Sequence, residues 1–204
     1  MPVVTCLDLE GVLTPEVWIN VAERTGIEKL RLTTRDVSDY DVLMKMRLSI
    51  LEKHGLKLRD IQQVIAGLEL LDGARAFLDE LRRKCPVIIL SDTFYEFADP
   101  LIEKLGRPTL FCNSLVSAAD GSIADYKLRQ RDGKRHSVVA LQGLNFKVIA
   151  AGDSYNDTTM LAAADAGLLF RPPQNVIDQF PQFPVTTTYA ELLAQIEKNL
   201  AGLA

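Results

Sequence analysis

Histidine and cysteine are scarce in this 204-residue chain: there are two His, at 54 and 136, and three Cys, at 6, 85 and 112. So few imidazoles argue against a histidine-rich metal centre, and a Ser-His-Asp triad would have to use one of two histidines that no motif supports. The cysteines are odd in number, scattered and without CxxC spacing, which reads as reduced, mostly buried thiols rather than disulfides or a zinc site. Positive charge is not in excess either. With 23 Lys and Arg against 27 Asp and Glu, the net charge is −4 and no long run of one sign occurs, so the footprint of a nucleic-acid binder is missing. No apolar run nears the roughly 20 residues that span a bilayer, and the start MPVVTCLDLE has no basic n-region or long apolar h-region. These features predict a soluble, cytoplasmic protein with no membrane partner. Internal repeats and low-complexity tracts are lacking, as is a GxGxxG after the first apolar run, which disfavours a Rossmann dinucleotide binder.

What remains is an ordinary globular composition, 48% hydrophobic and 25% charged. A chain of this length buries roughly 70% of its unfolded surface and needs neither disulfides nor a structural metal to hold together. Pro2 to Asp8 reads as a buried parallel strand stopping at acidic residues and Gly11. Thr14 is placed as an N-cap with Pro15 at the first helical position, and Gly26 closes that helix. Two helical stretches follow, one with Leu43, Met46 and Ile50 on a face, the next with Leu58, Ile61 and Ile65. From Gly73 strands and helices alternate. A helix carries Ala74, Phe77, Leu78 and Leu81, a strand runs from Pro86 to Ser91, a helix from Phe94 to Leu105, and a strand from Thr109 to Cys112. Asp120-Gly121 then turns a hairpin between 114–118 and 122–128. A helix from about Lys134, a strand over 147–152, a helix from Asn156, a strand over 167–170 and a terminal helix from Tyr189 complete the pattern. It predicts an α/β fold with a doubly wound parallel sheet. Residues 1–13 and 73–204 form its core, and a small helical cap, residues 14–72, is inserted after the first strand, over the sheet edge where such folds bind ligands.

Four polar clusters fall at predicted strand ends or helix starts: Asp8-Leu-Glu10-Gly-Val, Ser91-Asp92-Thr, Lys134, and Gly152-Asp153-Ser-Tyr-Asn156-Asp157. Asp8 and Glu10, two residues apart, can face one site. Carboxylates so close require a divalent cation or a retained proton, and an oxygen-rich set suits Mg²⁺ beside phosphate. With a phosphoryl group at this point, Asp8 is the candidate nucleophile, forming an acyl phosphate. Glu10 is the candidate acid and base. Ser91 and nearby backbone N–H groups, including that of Asp92, donate to phosphoryl oxygens, and Lys134 cancels their charge.

The motifs DLEGV, LSDTF, Lys134 and GDSYND resemble those of the haloacid dehalogenase superfamily of phosphotransferases, and the likeness spans almost the whole chain. The inserted helices resemble the cap of phosphoserine phosphatases. DLEGVLTPE, YDVLMK, LSDTFYEF and AAGDSYNDTTML resemble most the bifunctional group that also passes phosphate from phosphoserine to homoserine. The resemblance implies a Rossmannoid core, Mg²⁺ on Asp8, the Glu10 main-chain carbonyl and Asp153, and support from Asn156, also at the substrate, and Asp157. It further implies that Glu16 receives the ammonium group of a phospho-amino acid and Arg47 its carboxylate. Phosphoserine and homoserine are the small-molecule partners so implied, and a homodimer is compatible with it. Two departures stand out: Glu10 occupies the place of the usual aspartate, and Glu16 lies eight residues after Asp8 where the family spacing is nine. A phosphatase for another small phosphorylated metabolite, and a phospho-accepting signalling module, remain open.

Overall fold

A computed structural model describes residues 1–33, 36–37 and 39–203. In chain order the elements are β1 (Val3–Leu7), α1 (Val17–Thr25), a 3-10 turn (Glu28–Arg31), α2 (Tyr40–Lys53), α3 (Leu58–Ala66) and α4 (Ala74–Arg82). Next come β2 (Val87–Phe94), α5 (Tyr95–Lys104), β3 (Thr109–Ser117), β4 (Ile123–Lys127), α6 (Gly133–Gly143) and β5 (Lys147–Gly152). A second 3-10 turn (Tyr155–Asp157), α7 (Thr158–Ala163), β6 (Ala166–Phe170), α8 (Gln174–Gln179), β7 (Val185–Thr186) and α9 (Tyr189–Leu203) finish the chain. The sheet order is β4-β3-β2-β1-β5-β6-β7, parallel throughout except for the β3–β4 hairpin. This is the doubly wound α/β fold expected. The chain winds outward from β1 through β2 and β3, then returns to β5 on the opposite side, so the carboxyl ends of β1 and β5 flank the point where the winding reverses. Open α/β sheets bind ligands in that crevice.

Alternation along the central strands divides the core. Val3 and Leu7 of β1 pack with Phe77, Leu78 and Leu81 of α4 and with Leu192 and Ile196 of α9. Val4 and Cys6 point the other way, toward Val138 of α6 and Met160 and Leu161 of α7. A third cluster joins the inserted helices to α5 and the hairpin, with Val17, Trp18, Met44, Leu51, Ile61 and Ile65 against Phe94, Phe97, Leu115 and Ile123. Helices α1–α3 therefore stand on their own apolar base at the carboxyl end of the sheet.

Several boundaries differ from the sequence reading. Thr14 is not the N-cap of α1: its hydroxyl donates to the Leu9 carbonyl (3.3 Å) and its N–H to the same oxygen (3.0 Å), closing a tight loop, and the helix starts after Glu16. Gly26 does end it, left-handed at φ 69°. On α2 the buried stripe is Leu43, Met44, Arg47 and Leu51, with Met46 and Ile50 only partly covered, because the helix turns an arginine inward. β2 continues past Ser91 to Phe94 through a register irregularity, so Ser91 and Asp92 lie in a strand and do not cap α5. The last acidic motif enters α7 through a 3-10 turn, and α8 and β7 were not foreseen. Among the described residues no helix is long and apolar enough to cross a membrane.

The edge-to-face contact of Trp18 with Phe97 (centroids 5.7 Å apart) ties α1 to α5. Phe97→Ala is expected to cost about 3–5 kcal/mol, the range for emptying a buried phenyl site. Urea unfolding followed by the emission of Trp18, the single tryptophan, measures it.

Candidate active site

The loop after β1 carries the first pair of carboxylates. Asp8 continues the strand, its N–H donating to the Ala151 carbonyl (2.9 Å), and its Oδ1 accepts from the Leu9 N–H (2.7 Å). The chain then curls at Gly11, left-handed at φ 77°. A Cβ there would overlap the Asp153 carboxylate, so the glycine is required both for the turn and for the approach of β5's acidic loop. Gly152, at the end of β5, is needed for a similar reason: a Cβ would run into the Asp157 side chain.

Asp8, Asp153 and Asp157 meet at the switch point, with carboxylate oxygens all within 4.8 Å of one another. Lys134, at the start of α6, reaches into them. Its Nζ lies 2.8 Å from Asp8 Oδ1, 2.7 Å from Asp157 Oδ1 and 3.7 Å from Asp92 Oδ2. Asp8 and Lys134 are each 4% exposed and Asp157 is fully covered. Burial works against the ammonium, yet Asp157, Asp8 and Asp92 together hold its pKa well above the ordinary lysine value. Asp8 is shifted upward by burial first, then by Asp157 and Asp153, and Lys134 only partly offsets them. Among the described residues, the three carboxylates and one ammonium leave the buried charge on the negative side.

That imbalance and the all-oxygen donor set fit a hard dication such as Mg²⁺. Asp157 is set apart from the other two carboxylates by its bonds and its place. Asp157 Oδ2 accepts from the N–H groups of Asp153 (3.0 Å) and Ser154 (3.1 Å), and its Oδ1 holds Lys134, so it is committed as a brace. Asp8 and Asp153 both line the cavity, where Asp157 does not.

Above this floor the cavity, about 1010 Å³, is roofed by α1 and α2. Glu10 turns upward, and its Oε2 accepts from the N–H of Val17 (2.9 Å), the first residue of α1, where a negative charge suits the helix end. Glu16 is its neighbour. Burial, then the Glu16 charge, pushes the Glu10 carboxyl up to about 8 despite the lowering effect of the Val17 N–H. Arg47, 5% exposed, lies over the Trp18 ring (4.5 Å) and donates to the Leu32 carbonyl (2.7 Å). Its Nε is buried without a hydrogen-bond partner, and burial lowers its pKa to about 10, so it stays charged at neutral pH. An orphaned N–H of this kind costs roughly 1–3 kcal/mol until an acceptor arrives.

The walls complete the site. Ser91 is buried and faces the cavity, its Oγ accepting from the Thr93 N–H (3.2 Å). The Asp92 carboxylate accepts from Asn156 Nδ2 (3.2 Å), linking β2 to the acidic loop. All ten residues singled out in the sequence therefore line or brace one crevice. Tyr40, however, was missed. Its hydroxyl donates to the Asp92 carbonyl (3.0 Å), which also accepts from Asn113 Nδ2 (3.0 Å), pinning α2 to the wall. Nothing local in the sequence marks a tyrosine whose partner lies 52 positions away.

Because the folded Glu10 carboxyl keeps its proton to about pH 8 while the unfolded one releases it near 4.5, the folded state binds more protons between those values. Stability of the metal-free protein should fall as pH rises from 4.5 to about 8, and Glu10→Gln should flatten that decline, read from urea midpoints in chelator at a series of pH values.

A family model for haloacid dehalogenase-like hydrolases matches residues 5–165. The chain is 59% identical over 195 residues to the phosphoserine phosphatase of Pseudomonas syringae pv. tomato, covering 96% of this chain and 82% of that protein. It is 58% identical over 195 residues to Phosphoserine phosphatase ThrH of Pseudomonas aeruginosa, covering 96% and 95%. A crystal structure of phosphoserine phosphatase in apo form superposes with a TM-score of 0.78 over 95% of this chain and 98% of that one; at 18% identity this is a likeness of fold. With the family match spanning most of the chain, and two relatives near 60% identity matched over 96% of it, the chain belongs to the haloacid dehalogenase-like hydrolases.

Proposed function

We propose that the chain is an Mg²⁺-dependent phosphatase for phosphoserine, acting through a phosphorylated Asp8, and that homoserine can replace water as the acceptor. The single observation that carries this reading is the pairing, across one cavity, of a buried carboxylate floor with a roof holding Glu10, Glu16 and Arg47. The names of the two Pseudomonas relatives support the substrate. Residues 14–72 act as the cap.

Asp8, Asp153 and the Glu10 carbonyl would hold Mg²⁺, which when bound supplies charge neutralisation at the phosphoryl oxygens. Asp8 Oδ1 is held by Leu9 and Lys134, leaving Oδ2 to attack phosphorus. As the Asp8 O–P bond forms, the bond from phosphorus to the serine oxygen breaks, and protonated Glu10 donates to that leaving oxygen. Glu10, now ionised, then takes the proton of water or of the homoserine hydroxyl as that oxygen attacks phosphorus and frees Asp8. Ser91, the Asp92 N–H and Lys134 stabilise the transferring group. Glu16 receives the substrate ammonium and Arg47, through its unpartnered Nε, the carboxylate. Asn156 stands at the substrate end of the acidic loop. A sugar-phosphate or nucleotide substrate would leave Arg47 without its anion, and a signalling module has no use for the roof.

Asp8→Asn should abolish both turnover and acid-stable phosphoenzyme while the circular dichroism spectrum is retained; activity surviving in this variant removes the nucleophile assignment. With phosphoserine and Mg²⁺, free phosphate is expected alone, and phosphohomoserine should appear at its expense when homoserine is added. Free phosphate only would dismiss the acceptor. Arg47→Ala should raise KM for phosphoserine about tenfold or more, since hydrogen bonds to charged groups are worth roughly 1.5–3 kcal/mol. An equal rise for an aryl phosphate would take Arg47 out of substrate recognition.

A further inference from the structure

The C-terminal helix begins with a residue that touches both chain crossings between the inserted helices and the sheet. On the outgoing crossing, the Tyr189 hydroxyl donates to the Val12 carbonyl at 2.6 Å. On the returning one, Gly73 is left-handed at φ 83°, and a Cβ there would sit 3.3 Å from the Tyr189 ring. The crossings are themselves joined, the Leu71 N–H donating to the Leu13 carbonyl (3.1 Å).

Tyr189 is held firmly enough to act as a post. Its ring stacks on Phe77 of α4 (centroids 4.9 Å) and on Phe170 of β6 (4.8 Å), with the Arg171 guanidinium 5.3 Å from its centre. The Glu191 carboxylate accepts from the Thr187 and Thr188 N–H groups (2.8 and 3.2 Å), and the Thr188 hydroxyl accepts from the Glu191 N–H (3.2 Å), a reciprocal cap that fixes the start of α9.

The loop that Tyr189 grips spans Leu9 to Thr14 and carries Glu10. Asp8, just before it, is anchored by β5, Leu9 and Lys134, and does not depend on that grip. Glu10 is placed by the loop, by its bond to the start of α1 and by a side-chain hydrogen bond with Glu16. We infer that Tyr189 is a positioning residue for the proposed phosphoryl transfer, its hydroxyl fixing the loop pitch that aims Glu10, but not Asp8, at the leaving oxygen. This inference rests on the acid role given to Glu10 above and assigns Tyr189 no contact with substrate.

The test exploits leaving-group chemistry. An alkyl phosphate needs a proton on its departing oxygen, whereas 4-nitrophenyl phosphate expels a stable phenolate without one, and kcat/KM reports the steps up to that departure. Tyr189→Phe keeps the stack and removes the hydrogen bond. It should lower kcat/KM for phosphoserine about fivefold or more, a fraction of the roughly 10²–10⁴-fold that acid–base help contributes, while kcat/KM for 4-nitrophenyl phosphate stays within about twofold. Phe77→Leu, which loosens the stack and keeps the hydroxyl, should destabilise the fold without changing the ratio of the two. Equal losses on both substrates in Tyr189→Phe, or no loss on either, overturns the inference. Should wild type ignore phosphoserine, the substrate reading fails on its own, and the same comparison with β-glycerophosphate as the alkyl ester still decides the role of Tyr189.

Discussion

Among the described residues, three largely buried carboxylates lie within 4.8 Å of one another with the Lys134 ammonium in direct contact with two of them, an arrangement that is costly to hold unless further positive charge joins it. Most other features of the site accommodate it. Lys134 stands at the first turn of α6 so that one cation can reach both Asp8 and Asp157. Asp157 is tied to two backbone N–H groups and cannot swing away. Gly11 and Gly152 have no side chains where any side chain would displace a carboxylate. A dication among these oxygens would relieve their negative charge, and an arriving phosphoryl group would restore some of it, so metal and substrate would each make room for the other.

The roof answers a different problem. Asp8 and Asp153 follow the ends of β1 and β5, whereas Arg47 is carried by, and Glu10 bonded to, helices that stand on a separate apolar base. Floor geometry is therefore set by backbone pairing and roof geometry by side-chain packing, which repacks more readily. On the function proposed above, chemistry common to many phosphoryl transfers would sit on the floor, and recognition of one substrate on the roof. This is the division expected when binding energy must be gathered by one part of a protein and used in another.

Much of this was legible in the sequence because the informative residues are local. Asp8, Lys134 and Asp153 each follow an apolar strand or start a helix, Ser91 closes the apolar part of β2, and the doubly wound topology then brings them together without further information. What escaped depended on contacts between distant positions. Thr14 looked like a helix cap because its neighbours Pro15 and Glu16 fit one, but its hydroxyl is taken by the Leu9 carbonyl in the loop that Gly11 starts. The stripe on α2 was misplaced by one position because Arg47, polar by type, packs inward against Trp18 as an apolar residue would. The stretch of β2 beyond Ser91 was hidden by a register irregularity that periodicity cannot express. The bonds of Tyr40 and Tyr189 join residues 52 and 177 positions apart, and no window along the chain contains both partners.

The hydrogen bond between Leu71 and Leu13 means that the chain departs from the sheet and rejoins it at nearly the same spot. A segment whose two ends are already clasped adds little closure entropy however long it grows, because that penalty rises only with the logarithm of length. Such a spot is a socket: an insert of another size or fold placed there would leave the strands beneath in register and the acidic floor unchanged, at little cost in closure entropy.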